Sequence, residues 1–496
     1  MSPANADTLE SVQTFEGRYP RQLWWLFFSE MAERFAFYGM RGVLTIFMVS
    51  QLMMKEDVAN LQYGATQAFV YAFTFIGGLF ADKILGFRRS LFWGGGLMIA
   101  GSLVLAVDPK SLFFLGIAFN IVGTGFFKPN ISSMVGALYR EGDPRRDAGF
   151  SLFYSGINVG ALAGGYLCVT IGKSYSWNLA FGLTSIVMTI SLLIFAYTRR
   201  SLGPIGLSPR EADPTSRQKA WPEWATYLGS LALIPVLMVM VSKTDLTDSF
   251  MYAIGPVALV YLGWEMTRFS GSERKKLIAA MVFILFSIIF WAFFEQSGGS
   301  LSLFAANNLD QDVFGIPLDP NGVNNAANSL FVIIFSPLLG LVWVALAKKK
   351  LEPDTVVKFG LGFLFLAGAF WLFYATRFFA NEQGITSLEL FTLAYLVITF
   401  GELCLSPIGL SIMTKLSPRP LQGVMMGMWF LASAYGQYVA GLLGAGMTSP
   451  AENATAMDKL VSYTQGYRQL SLYALVAGVV LIAIAPGVRK LMGEVK

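Results

Sequence analysis

The chain has 496 residues, 55% of them hydrophobic and only 14% charged, with a formal net charge of +5. Soluble proteins average about 25% charged residues; here the deficit runs the whole length, which excludes a soluble globular protein and points to a polytopic membrane protein. There is no histidine and there are two cysteines, Cys168 and Cys404, both in apolar stretches, so a Ser/His/Asp hydrolase is excluded, no disulfide is expected, and proton handling is left to carboxylates.

Residues 1–23 are polar, carry Pro3 and Pro20, and contain no apolar core. They read as a cytoplasmic tail without a cleavable signal, so the first helix must serve as the uncleaved insertion signal. That helix, Trp24 to Leu52, is apolar yet holds Glu30, Glu33, Arg34 and Arg41. At about 100° per residue, Glu30, Arg34, Phe37 and Arg41 share one face, with Glu33 and Tyr38 flanking it. An ionisable group at the bilayer centre costs ~2.5–3.5 kcal/mol on insertion scales, so this face must meet protein or water and is a candidate site.

With ~20 apolar residues needed to span a bilayer, about fourteen spans are predicted. They lie near 24–52, 63–83, 91–107, 111–138, 149–172, 176–198, 221–242 and 249–268. The rest lie near 276–306, 324–347, 358–379, 386–414, 422–447 and 466–488. Most Lys and Arg then fall in alternate connections: Arg88 and Arg89, Arg140 to Arg146, Arg199 to Lys219, Arg268 to Lys276, and Lys348 to Lys350. Under the positive-inside rule that face is cytoplasmic and holds both termini, which places a multi-pass protein in the cytoplasmic (inner) membrane. The surplus of cations reports this asymmetry rather than a nucleic-acid partner.

The connection 199–220 is rich in proline and charge and separates six spans from those that follow. Counting six back from the C-terminus leaves two helices as an insertion. The organisation read is a tail (1–23), a six-helix bundle (24–200), a linker with a two-helix insertion (201–272), a second six-helix bundle (273–490) and a short tail (491–496). Loose repetition supports two related halves. Gly78 to Arg89 has a counterpart at Gly340 to Lys350, FFKPNIS (126–132) at CLSPIGLS (404–411), and Gly149 to Gly164 at Gly427 to Leu442. Two similar halves are a transporter arrangement. Pro129 and Pro407 each remove a backbone donor in mid-helix; hinge and ordinary membrane-helix proline are both open readings.

Three further ionisable residues fall deep in predicted spans: Lys128, Glu295 and Glu402. With the first-helix set they make four carboxylates against three cations, so one extra proton neutralises the group. Burial favours the neutral acid and a nearby cation favours the anion, which suits proton coupling. The alternative is a structural salt-bridge set that locks helices. Tyr38, Tyr71, Tyr154, Asn158, Asn328 and Trp429 either line a polar cavity or serve helix packing. The run 156–165, GINVGALAGG, reads as a close-packing face, and 298-GGS-300 as a loosened stretch after Glu295. No G-x-x-x-x-G-K-[ST] occurs, so ATP use is not expected, no cofactor is implied, and uphill transport must draw on an ion gradient.

Glu30-x-x-Glu33-Arg34-Phe35-x-Phe37-Tyr38-Gly39 resembles the E-x-x-E-R-F-x-Y-Y-G motif of the proton-dependent oligopeptide transporters. Phe127-Lys128-Pro129-Asn130 resembles the family's F-x-K-P-N signature, and Phe153-Tyr154-x-x-Ile157-Asn158-x-Gly160-Ala161 its fifth-helix signature. Phe294-Glu295-Gln296 and Gly401-Glu402 with Ser406-Pro407 are similar to its seventh- and tenth-helix patterns, and Gly78 to Arg89 to the loop motif of the wider major facilitator superfamily. The resemblance implies an all-α major facilitator fold, two six-helix bundles plus a two-helix insertion, importing di- and tripeptides with protons by alternating access. It implies that Glu30, Glu33, Lys128 and Glu295 couple protons. It implies that Arg34 and Arg41 take the peptide carboxylate and Glu402 the amino end, with Tyr38, Tyr71, Tyr154, Asn158, Asn328, Trp429 and Ser433 lining the cavity. The partners expected are peptides, protons and the bilayer, with a functional monomer.

Departures from the family pattern are Phe37, where tyrosine is frequent, and Ser329, where proline is common. The competing reading is proton-coupled transport of another small solute, such as nitrate or an organic anion. A channel would pass substrate without saturation or countertransport, and a membrane enzyme would leave an altered product.

Overall fold

The computed structural model describes residues 8–212, 220–405, 409–448 and 453–494. Among them, after a short helix Leu9–Gln13, run fourteen long helices. The first seven are α1 (Arg21–Ser50), α2 (Glu56–Phe80), α3 (Gly86–Val107), α4 (Phe113–Ala137), α5 (Arg146–Ser174), α6 (Trp177–Thr198) and α7 (Trp221–Ser242). The second seven are α8 (Thr244–Met266), α9 (Gly271–Phe294), α10 (Pro320–Lys348), α11 (Thr355–Ala375), α12 (Leu388–Leu405), α13 (Gln422–Gly446) and α14 (Ala456–Met492). Among the described residues, ten helical stretches are long and apolar enough to cross a membrane. The strands described are a two-residue antiparallel pair, Asp312–Val313 with Ile316–Pro317, before α10.

Several helices begin earlier than hydropathy predicts, because polar first turns are caps rather than loops. Thr455 and Asp458 form a reciprocal capping box that starts α14, with Asp458 N donating to Thr455 Oγ1 at 3.2 Å and Thr455 N to Asp458 Oδ2 at 2.9 Å. Asp354 accepts from Val356 N and Val357 N at 3.0 Å each to open α11. Two predicted spans are not single helices. The one near 276–306 is interrupted by a 3₁₀ turn, Glu295–Gly298, and resumes at Ser300–Asn308. The one near 386–414 comprises α12 and a further helix Gly409–Leu416; Pro407 between them lies outside the described residues.

The chain divides into two compact units, Met1–Val43 with Phe69–Ser242, and Leu44–Ala68 with Lys243–Lys496. The divisions fall inside α1 and α2, and they separate α7 from α8. In the first unit, α5 lies directly on α1. A Cβ added at Gly160 or Gly164 would collide with the carbonyl oxygens of Met31 and Phe35, so only hydrogen fits and the helices meet backbone to backbone. On α6, Ser191 Oγ donates to Ser29 O at 2.6 Å and Ser29 Oγ returns a bond to Ser191 O at 3.1 Å. These contacts fix the rotation of α1, and therefore the direction of its charged face.

The linker is strapped to the start of α3. Arg88 Nε donates to Ile205 O at 2.7 Å, and Arg89 pairs with Glu211 and Glu223 at 2.6 Å each. Gly86 adopts φ +74°, where a Cβ would meet the backbone of Leu207 and Ser208. Helix α7 packs on α4 in this unit. In the second unit, α8 meets α13: Tyr438 OH donates to Asp248 Oδ1 at 2.6 Å, and Tyr435 OH to Met251 O. The core of that unit is aromatic, with Phe304, Phe373, Phe391, Tyr395 and Tyr467 in mutual ring contact.

Candidate functional site

The charged face of α1 is buried. Glu30, Glu33 and Arg34 are 2%, 0% and 2% exposed. Arg34 Nε lies 3.2 Å from Glu30 Oε1, an i, i+4 pair, and also donates to Glu33 Oε2 on the adjacent residue. One guanidinium therefore serves two carboxylates. Among the described residues, Glu30 Oε2, Glu33 Oε1 and Arg34 Nη2 have no hydrogen-bond partner. Buried polar atoms are normally satisfied, so these three are where a proton or a substrate group has most to offer.

Lys128 on α4 acts through its charge on both Glu30 and Glu33. Each cation of this unit's set also stands against an aromatic ring. Arg34 Cζ is 5.1 Å from the Phe37 centroid, Arg41 Cζ 5.6 Å from that of Tyr38, and Lys128 Nζ 4.7 Å from that of Tyr71. Such faces hold a cation without neutralising it. This gives Phe37 a role that sequence reasoning missed: only its lost hydroxyl was visible there, whereas its ring is what Arg34 uses. Arg41, Tyr38, Tyr71 and Lys128 are half-buried and Tyr154 is exposed. Asn158 is buried, and its Nδ2 donates to Tyr154 O one turn back at 3.0 Å.

In the second unit, Glu402 on α12 is half-buried and oriented from α10. Asn328 Nδ2 donates to Glu402 Oε2 at 2.8 Å and to Thr399 Oγ1 at 3.1 Å. The same face of α10 carries Asn321, Asn324 and Asn325, at i, i+3, i+4 and i+7 with Asn328. Asn324 Oδ1 accepts from Tyr395 OH at 2.6 Å and its Nδ2 donates to Ser297 O at 2.8 Å; Asn321 Nδ2 donates to Ser302 O at 2.6 Å. Only Asn328 of this ladder was singled out from sequence, although the helical spacing was legible.

Glu295 opens the 3₁₀ turn that breaks the helix after α9 and is 4% exposed. Thr45 Oγ1 donates to Gly298 O, and Tyr63 fills the space at Gly298 that any side chain would need. The break is thus built by the packing around it. Gln296 Nε2 ties the turn to Ala292 O and Ala440 O at 3.0 Å each. Trp429 and Ser433 on α13 are 7% exposed each, and Ser433 Oγ donates to Trp429 O at 3.2 Å within its own helix. Among the described residues no group of three or more Cys, Asp and Glu is placed to hold a metal ion.

The first unit thus holds Glu30, Glu33, Arg34, Tyr38, Arg41, Tyr71, Lys128, Tyr154 and Asn158, and the second Glu295, Asn328, Glu402, Trp429 and Ser433. Comparison with known proteins gives a consistent result. The family model described as PTR2: POT family matches residues 88–460. The peptide transporter YePEPT of Yersinia enterocolitica subsp. palearctica is 33% identical, covering 97% of this chain and 97% of its own. Dipeptide and tripeptide permease A of Salmonella typhimurium is 29% identical over 99% of this chain and 97% of its own. The crystal structure of a peptide transporter POT in complex with sulfate superimposes with a TM-score of 0.84 at 32% identity, covering 98% of this chain and 99% of that one.

Proposed function

The chain belongs to the POT family, and from that premise we propose that it is a proton-coupled symporter importing di- and tripeptides by alternating access. It is a multi-span membrane transporter with the major facilitator fold, not an enzyme. The observation that carries the site assignment is the buried Glu30–Arg34–Glu33 cluster, in which one guanidinium serves two carboxylates and one oxygen of each carboxylate has no partner among the described residues.

Glu30 and Glu33 are the coupling carboxylates. When either is protonated, its hold on Arg34 weakens and the guanidinium is released toward an anionic group. Lys128 adds a further cation whose charge favours the ionised form of each carboxylate, against the burial that favours the neutral acid. Arg34 and Arg41 supply the positive end of a zwitterion-recognising set and Glu402, oriented by Asn328, the negative end. Glu295 is a second proton site. Tyr38, Tyr71, Tyr154, Asn158, Trp429 and Ser433 supply ring faces and hydrogen bonds to the peptide. Protonation shifts the balance between outward- and inward-open states by its differential affinity for them. The protein lies in the cytoplasmic membrane with both termini inside, a reading supported by the placement of Lys and Arg in alternate connections, and works as a monomer without a cofactor.

A carboxylate kept beside an amide in the second unit favours a zwitterion over a simple anion, because a second negative charge has no place at Glu402. Uptake of labelled dialanine into proteoliposomes tests this. Unlabelled dialanine and trialanine are expected to compete, and nitrate at the same concentration to leave uptake unchanged. Absence of saturable dialanine uptake, or its loss to nitrate at the same concentration, would assign the site to another solute.

A further inference from the structure

Beyond the transport site, the first unit carries a basic cavity of about 610 Å³ where α1 begins and α6 ends. Its walls include Arg21, Gln22 and Trp25 from α1, and Tyr197, Arg199 and Arg200 from the end of α6 and the 3₁₀ turn after it. Gln22 Nε2 donates to Ser201 O at 3.0 Å, joining the two segments, and Trp25 meets Tyr197 edge to face at 5.3 Å. The cavity is therefore held by both helices rather than by a loose loop.

Its charge is unbalanced. Among the described residues Arg89, Arg140, Arg145 and Arg210 each have a carboxylate partner, while Arg21, Arg199 and Arg200 form no ion pair. Arg199 leans its guanidinium over the Phe92 ring at 5.5 Å instead. Three guanidinium groups around one concavity repel one another unless an anion sits among them, and their planar forks match phosphate oxygens.

The surface beside it identifies what carries that anion. Ile186, Ile190, Leu193 and Tyr197 follow one another at four-, three- and four-residue steps, so they form one stripe of α6, and they are 60%, 46%, 64% and 68% exposed. The stripe ends at the arginine cavity, with Trp24, 42% exposed, on the other helix. An apolar ridge leading to aromatic rings and then to cations has the layout of acyl chain, interface and headgroup.

We propose that this cavity binds the phosphate headgroup of an anionic phospholipid through Arg21, Arg199 and Arg200, with an acyl chain along the Ile186–Tyr197 stripe. The shared chemistry is a phosphate anion, and the tail distinguishes a lipid from free phosphate. The test uses the purified full chain and dioleoylphosphatidylglycerol, with retained lipid counted by native mass spectrometry. Wild type is expected to retain this lipid over dioleoylphosphatidylcholine. The triple substitution Arg21→Gln, Arg199→Gln, Arg200→Gln is expected to lower retention at least tenfold, with an unchanged thermal unfolding midpoint. Equal retention by wild type and triple variant overturns the proposal.

A second readout needs no charge variant. Brominated phosphatidylglycerol is expected to quench the fluorescence component that Trp25→Phe removes, and brominated phosphatidylcholine to leave it. Equal quenching by the two lipids overturns the proposal. So does inorganic phosphate that displaces the lipid at comparable concentration, which would make the cavity a soluble-anion site.

Discussion

Glu33→Gln is expected to abolish proton-driven accumulation of dialanine in proteoliposomes while leaving counterflow of labelled dialanine in place. Glutamine has the same shape, and its amide oxygen still accepts from Arg34, so the α1 cluster keeps its packing. What it loses is the ability to take and release a proton. A pH difference of one unit supplies about 1.4 kcal/mol per proton, or tenfold accumulation. In the variant the ratio of internal to external peptide is expected to settle at one. Counterflow exchanges peptide for peptide with no net proton movement, so it survives. Undiminished gradient-driven accumulation by Glu33→Gln would remove that carboxylate from the coupling step.

Glu402→Gln is expected to raise the dialanine concentration for half-maximal uptake by roughly 10–100-fold, since a hydrogen bond to a charged group is worth about 1.5–3 kcal/mol. Asn328→Ala, which removes the donor shared by Glu402 and Thr399, is expected to cost less, roughly 2–10-fold on the ordinary hydrogen-bond scale. N-acetyl-dialanine has no ammonium and is expected to show the same penalty in wild type that dialanine shows in Glu402→Gln. The two losses do not add when variant and blocked peptide are combined, because both delete one contact. Full additivity would mean that Glu402 acts elsewhere.

Much of the α1 cluster was legible in advance because a helix has a fixed period. The i, i+4 spacing of Glu30 and Arg34 is enough to pair them. The Glu33–Arg34 contact was not legible, since adjacent residues diverge by about 100° and only the length of an arginine side chain brings it back. The same period makes the Asn321–Asn328 ladder readable in retrospect, and the GINVGALAGG run was correctly read as a surface that wants a helix against it. The break after Glu295 was partly legible: 298-GGS-300 was read as a loosened stretch, but the 3₁₀ turn Glu295–Gly298 that precedes it was not. Tyr63, from a distant part of the chain, fills the space at Gly298. Distance in sequence hides other partners in the same way: Glu56 takes Lys459 Nζ and Tyr463 OH at 2.6 Å each across some four hundred residues. No local pattern in the chain encodes that pairing.

The most direct measurement is proton entry driven by peptide alone. Proteoliposomes containing a pH-sensitive dye, with equal pH on both sides and the membrane potential clamped, receive external dialanine. The expected result is internal acidification that tracks peptide entry in wild type and is absent in Glu33→Gln. Peptide entry at the wild-type rate without any acidification would contradict proton-coupled symport.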